Sequence, residues 1–181
     1  MNDEREGDWM QLASGRPFWP LDPRPEDIEI EDIAAALSKL CRFGGHSRFF
    51  YSVAHHSLIL CAIAIAGGAP KDEQKWALLH DAAEAYVVDL PRPIKAMLPD
   101  YKKMEDRVLR AIATRFDLSW PMPDVVKELD NRILHNEQKW VMRAGKRPWN
   151  LPGEPLPIKP IEPMSIEEIE HWFLGIWSEL Q

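Results

Sequence analysis

In the stretch Leu78-Leu79-His80-Asp81-Ala82-Ala83-Glu84-Ala85-Tyr86 an imidazole and a carboxylate stand side by side, with Glu84 four residues after His80 and three after Asp81. On a helix that spacing returns Glu84 close to the face that carries the pair. A neutral imidazole and an ionised carboxylate are ordinary ligands for a first-row divalent ion, and a further carboxylate beside them can take a proton from coordinated water. Alone the pair is weak evidence, because a buried histidine satisfied by a neighbouring carboxylate is the commoner structure. Two other segments of helical character add to it: His56, with His55 beside it, and Asp130, followed by Asn131. Helical bundles build metal sites from inward side chains on facing helices. The order His, His-Asp, Asp leaves room on an ion for water or a phosphate oxygen.

The elements that must position these residues are legible as helices. Ser52 is placed to cap a helix from near Val53 to about Ala66, ended by Gly67-Gly68. Asp72 caps the helix bearing His80 and Asp81, which Asp89-Leu90-Pro91-Arg92-Pro93 terminates. Asp124, after Pro123, caps a helix with Val125, Val126, Leu129, Ile133 and Leu134 on its apolar stripe. That helix carries Asp130 and, seven residues later, Glu137, which reads either as the holder of a nearby cation or as half of a surface salt bridge. Upstream, Ile30, Ile33, Ala34, Leu37 and Leu40 recur at helical spacing and stop at Gly44-Gly45. A short helix through Ile94 and Met97, one over 101–116, and a last one from Ile166 to Leu180 behind a Ser165–Glu168 capping box complete the set. Residues 9–26, broken by Gly15, Pro17, Pro20, Pro23 and Pro25, suggest a small hairpin, and 145–163, with six prolines, a non-helical strap. The expected architecture is all-α, a helical bundle with a small N-terminal β-hairpin-like segment, in one domain over 1–181 whose first twelve residues are flexible.

Composition narrows the function. The 29 acids against 22 cations leave a net charge of −7, which works against the backbone of a polymeric nucleic acid. Any phosphate must be gripped locally, by a metal and a few placed cations, which suits a small nucleotide. Cys41 and Cys61 lack metal or redox spacing and read as buried thiols of a reducing compartment. The acidic start is no export signal, and the longest apolar run, Leu58 to Ala66, is far short of the ~20 residues that cross a bilayer. A cytoplasmic protein with no membrane partner is expected.

The segments Tyr51–Ser57, Ala77–Tyr86, Asp89–Lys95 and Leu129–Asn131 together resemble the HD-domain metal phosphohydrolases. Within them the chain is most similar to the branch of bacterial 5′-deoxynucleotidases and bacteriophage dATP triphosphohydrolases, a likeness that also takes in Gly15–Pro23 and Cys41–His46 and covers roughly residues 13 to 140. The resemblance implies His56, His80, Asp81 and Asp130 as ligands of a divalent ion (Zn, Co, Mn or Mg). His56 is preferred over His55 because Ser57 follows it, which leaves His55 behind the ligands or on the surface. It implies Glu84 as the group that orients and activates water, and Asp89 at the sugar or the leaving oxygen. Arg42 and Lys95 match phosphate contacts, with His46 a weaker candidate, while Arg48 and Arg92 read as solvated surface. Phe43 falls where an aromatic ring can exclude a 2′-hydroxyl. The implied activity is hydrolysis of a deoxynucleoside 5′-phosphate at the α-phosphorus, foremost dATP to deoxynucleoside and triphosphate, by a homo-oligomer. A 5′-deoxynucleotidase acting on monophosphates and a non-catalytic nucleotide-binding module are the alternatives.

Overall fold

Helix boundaries follow from local chemistry, in a computed structural model that describes residues 5–181. The Ser52 side chain accepts the backbone N–H of His55 at 3.1 Å, so α2 (Val53–Ala66) starts where its cap dictates. Gly68, at φ +68°, takes the left-handed conformation that closes its far end. This helix is apolar on most faces, as suits an element wrapped by others: it contacts α1 (Ile30–Lys39), α3 (Lys71–Leu79), α7 (Asp124–Trp140) and α8 (Ile166–Leu180). The predicted Ser165–Glu168 capping box opens α8. Its Ile169, Phe173 and Trp177 then close the core over α1, α2 and α3.

Several expected boundaries move. Helix α1 ends at Lys39, before the glycine pair, because the chain turns extended at Leu40 and Cys41 forms an antiparallel bridge with Ser52. The glycines belong to a separate tight turn, Arg42–Gly45. Neither aspartate predicted to cap does so. Pro70 and Pro123 stand at the two N-cap positions, while Asp72 binds the backbone N–H and hydroxyl of Ser119 and Asp124 pairs with Lys127. His80 and Asp81 lie at the end of α3 rather than inside a long helix. After Leu79 the backbone tightens through i→i+3 bonds (Ala82 N–H to Leu79 O, Glu84 N–H to Asp81 O), and Glu84 opens the single turn α4 (Glu84–Val87). The turn α5 (Arg92–Lys95) and the long α6 (Pro99–Arg115) follow.

The remaining pieces hold this bundle shut. Strands β1 (Met10–Gln11) and β2 (Pro17–Phe18) pair antiparallel, Met10 opposite Phe18, and deliver the Phe18 ring onto Tyr86 at a centroid distance of 4.1 Å. Of the terminus predicted to be flexible, residues 1–4 lie outside the described residues; Arg5 is bonded to Asp27 at 2.6 Å. The proline strap has no regular structure and is anchored by Leu156, whose backbone N–H and carbonyl both bond to the Asn136 amide. The fold is mostly helical, and among the described residues no helix is long and apolar enough to cross a membrane.

Candidate metal centre

Four side chains from three places in the chain converge. His56 is set on the second turn of α2, His80 and Asp81 at the tight end of α3, and Asp130 midway along α7. The Nε2 atoms of His56 and His80 are 3.1 Å apart; Asp130 Oδ1 is 3.2 Å from the former and 3.9 Å from the latter. Asp81 Oδ2 is 3.1 Å from His80 Nε2 and 3.7 Å from His56 Nε2.

What lies behind each imidazole sets what faces the centre. His80 Nδ1 is 3.0 Å from the Ala77 carbonyl, an acceptor only, so Nδ1 carries the proton and Nε2 the lone pair. His56 Nδ1 is likewise 2.8 Å from Glu137 Oε1. Two nitrogen lone pairs and two carboxylate oxygens therefore point at one another, an arrangement that repels itself without a cation. Four donors held at about 2.0–2.2 Å from a single first-row ion stand roughly 3–4 Å from each other, and these distances fit. His56, His80 and Asp130 alone, all within 4.8 Å of one another, could hold a metal ion. Burial and Arg42 push the His56 pKa down, but Glu137 and Asp130 outweigh them and hold it up at about 9.

Beside the centre lies a cavity of about 800 Å³. It brings together eight of the ten predicted site residues: Arg42, Phe43, His46, Asp81, Glu84, Asp89, Lys95 and Asp130. Glu84 is buried and its Oε2 lacks a hydrogen-bond partner among the described residues. Burial and the neighbouring Asp81 and Asp89 charges raise its pKa well above the ordinary carboxyl range, as burial and Asp81 raise that of Asp89. Such a carboxyl is suited to exchanging protons with water. Lys95 is paired with Glu105, and Phe43 faces Trp149 across 6.0 Å between ring centroids.

Arg42 is less free than a phosphate contact should be. Its guanidinium is buried, with Nη1 3.3 Å from Asp81 Oδ2 and Nη2 3.4 Å from Glu137 Oε2, so it joins Asp81 to the carboxylate behind His56. Glu137 itself corrects the surface-salt-bridge alternative: it has no exposed surface and serves as the shared acceptor of His56 and Arg42. The signal was there, since seven residues is two turns and sets Glu137 on the face of Asp130. Arg92 is exposed, as expected of solvated surface, and its guanidinium also reaches within 3.7 Å of Asp130 Oδ2 and 3.3 Å of Asn131 Oδ1 at the cavity edge. Trp149, on the strap, went unread because no periodicity marks an aromatic among prolines. His55 is buried rather than on the surface, its ring 5.1 Å from that of Tyr51, and burial lowers its pKa to about 4. His135, which faces the Pro152 carbonyl, and the exposed His171 stand apart from the centre.

Two relatives share most of this chain. The uncharacterized protein YfdR of Escherichia coli (strain K12) is 41% identical over 131 residues, 72% of this chain and 71% of that protein. The uncharacterized protein RCAP_rcc00048 of Rhodobacter capsulatus is 39% identical over 125 residues, 66% of this chain and 63% of that protein. No protein-family model matches the chain.

Proposed function

The chain belongs to the family of the Escherichia coli protein YfdR, and we propose that it is a metal-dependent phosphohydrolase of HD-domain type acting on deoxynucleoside 5′-phosphates at the α-phosphorus. The observation that carries this reading is the convergence of His56, His80, Asp81 and Asp130 beside the buried, unpartnered Glu84 in one open cavity. A divalent ion bound there supplies Lewis acidity and a lowered pKa for water. Glu84, in its ionised form, takes the proton of the attacking water, and the burial that raises its pKa makes that carboxylate a stronger base. Lys95 provides positive charge for the phosphate oxygens, and Arg42 fixes Asp81 and Glu137 so that the ligands keep their aim. Asp89 lies on the cavity wall, placed for the sugar or the departing 5′ oxygen.

The rest of the cavity supports a nucleoside. Phe43, Leu90, Leu134, Trp149 and Leu151 give it an apolar wall beside its charged one, the division a base and a phosphate require. The foremost substrate is dATP, hydrolysed to deoxyadenosine and triphosphate. Incubating the purified chain with Mn, Co, Zn or Mg and with each dNTP and dNMP, then separating products, tests it. Deoxynucleoside plus triphosphate is expected; deoxynucleoside plus orthophosphate from monophosphates alone would assign it instead as a 5′-deoxynucleotidase. No turnover with any metal, alongside tight nucleotide binding, would make it a non-catalytic binding module.

A further inference from the structure

A second concavity, of about 900 Å³, opens at the C-terminal end of α7, where its walls come from Arg48 and from 138–148. Five of its ten lining residues are cations: Arg48, Lys139, Arg143, Lys146 and Arg147. No acid lines it, although the chain carries 29 acids to 22 cations, and none occurs anywhere from Gln138 to Gly153. Among the described residues none of the five makes an ion pair. Arg48 is held from behind, its backbone N–H on the Val141 carbonyl at 2.8 Å and its Nη1 3.4 Å from the Trp140 carbonyl. The last carbonyls of α7 favour one or two cations there. They do not account for five, which repel one another while the acids that could neutralise them stand elsewhere.

We propose that this concavity is an anion site for a compact polyphosphate chain, free or carried on a nucleoside, separate from the metal centre and independent of the phosphohydrolase reading. Size and charge both favour a small ligand over a polymer. The volume is that of a small-molecule pocket, and the cations are confined to one depression in a protein whose net charge of −7 repels an extended polyanion. Met142 and Pro148 add an apolar margin against which a nucleoside can rest. Residues close in sequence line the two cavities: His46 and Trp149 the first, Arg48 and Pro148 the second.

Isothermal titration of the full chain in chelator, so that no metal bridges phosphate at the first site, tests the proposal with inorganic tripolyphosphate as probe. Saturable binding of one equivalent is expected, weakened at least tenfold by Arg143→Glu with Arg147→Glu and also clearly weakened by Arg143→Gln with Arg147→Gln. Lys127→Glu with Lys159→Glu, the same change in net charge outside the depression, should leave it within twofold. Using dATP as a second probe separates the sources: equal affinity means the phosphate chain alone is read, and tighter binding means the nucleoside joins it. Absence of saturable binding, equal losses in both charge-reversal pairs, or tighter binding of a single-stranded oligonucleotide than of tripolyphosphate would overturn the proposal.

Discussion

His56 Nδ1 lies 2.8 Å from Oε1 of Glu137, and both side chains are wholly buried. The contact fixes the His56 tautomer and turns Nε2 toward His80, Asp81 and Asp130; the same carboxylate neutralises Arg42. Partners behind a metal-bound histidine typically govern affinity by about 10–100-fold. Glu137→Gln should therefore weaken metal binding by about that factor, read by competition with a chromophoric chelator. Glu137→Ala leaves buried Arg42 with Asp81 as its remaining partner and should cost about 3–5 kcal/mol of stability, read by urea unfolding. Unchanged metal affinity in both variants would mean that the contact orients nothing.

Metal binding should also be visible in stability. An ion that binds only the folded chain stabilises it by about 2.7 kcal/mol at a hundredfold excess over Kd, about 5–10 °C in Tm for a chain of this size. Wild-type protein treated with chelator and then reloaded should recover that increment. Asp130→Asn, which removes one of the four converging donors, should lose most of it. Equal increments in the two proteins would place the ion elsewhere.

Glu84 makes stability depend on pH. Its folded pKa is raised by burial and by Asp81 and Asp89, so the folded chain holds a proton that the unfolded chain gives up. The contribution is intact below the ordinary carboxyl range and is lost as pH climbs from there through the folded value. In metal-free protein Glu84→Gln, which stays neutral throughout, should match wild type near pH 4 and gain on it steadily as pH rises toward 8. Loaded with metal, the same variant should lose turnover by about 10²-fold or more. A stability difference that stays flat with pH would remove the argument for Glu84 as proton carrier.

The helices were legible wherever a hydroxyl could cap them, as at Ser52 and Ser165, or wherever an apolar stripe ran long enough, as in α7. Asp72 and Asp124 misled because a carboxylate near a helix start has competing partners. Ser119 and Lys127 took them, while Pro70 and Pro123 filled the cap positions without needing a side chain. The four converging residues stood out through spacing and residue type, but their convergence depends on α3 tightening after Leu79, which no periodicity encodes. Trp149 lacked a signal of any kind: an irregular strap owes its course to anchors such as Asn136–Leu156 that are distant in sequence.

Phe43 offers a test of sugar selection. Its backbone sits at φ +56°, a left-handed conformation that costs an ordinary residue about 1–2 kcal/mol, and its ring faces Trp149 while lying under the Arg42 guanidinium at 5.3 Å. A bulky ring kept at a strained position in the cavity wall suits the exclusion of a 2′-hydroxyl. Phe43→Gly removes ring and strain together, so folding stability should change by no more than about 1 kcal/mol. The ratio of kcat/KM for dATP to that for ATP should fall by about 10–100-fold, the range a pocket gains from one small group. The comparison of the two nucleotides matters more than either rate. A ratio left unchanged while both rates drop would show that the ring supports the wall without meeting the sugar.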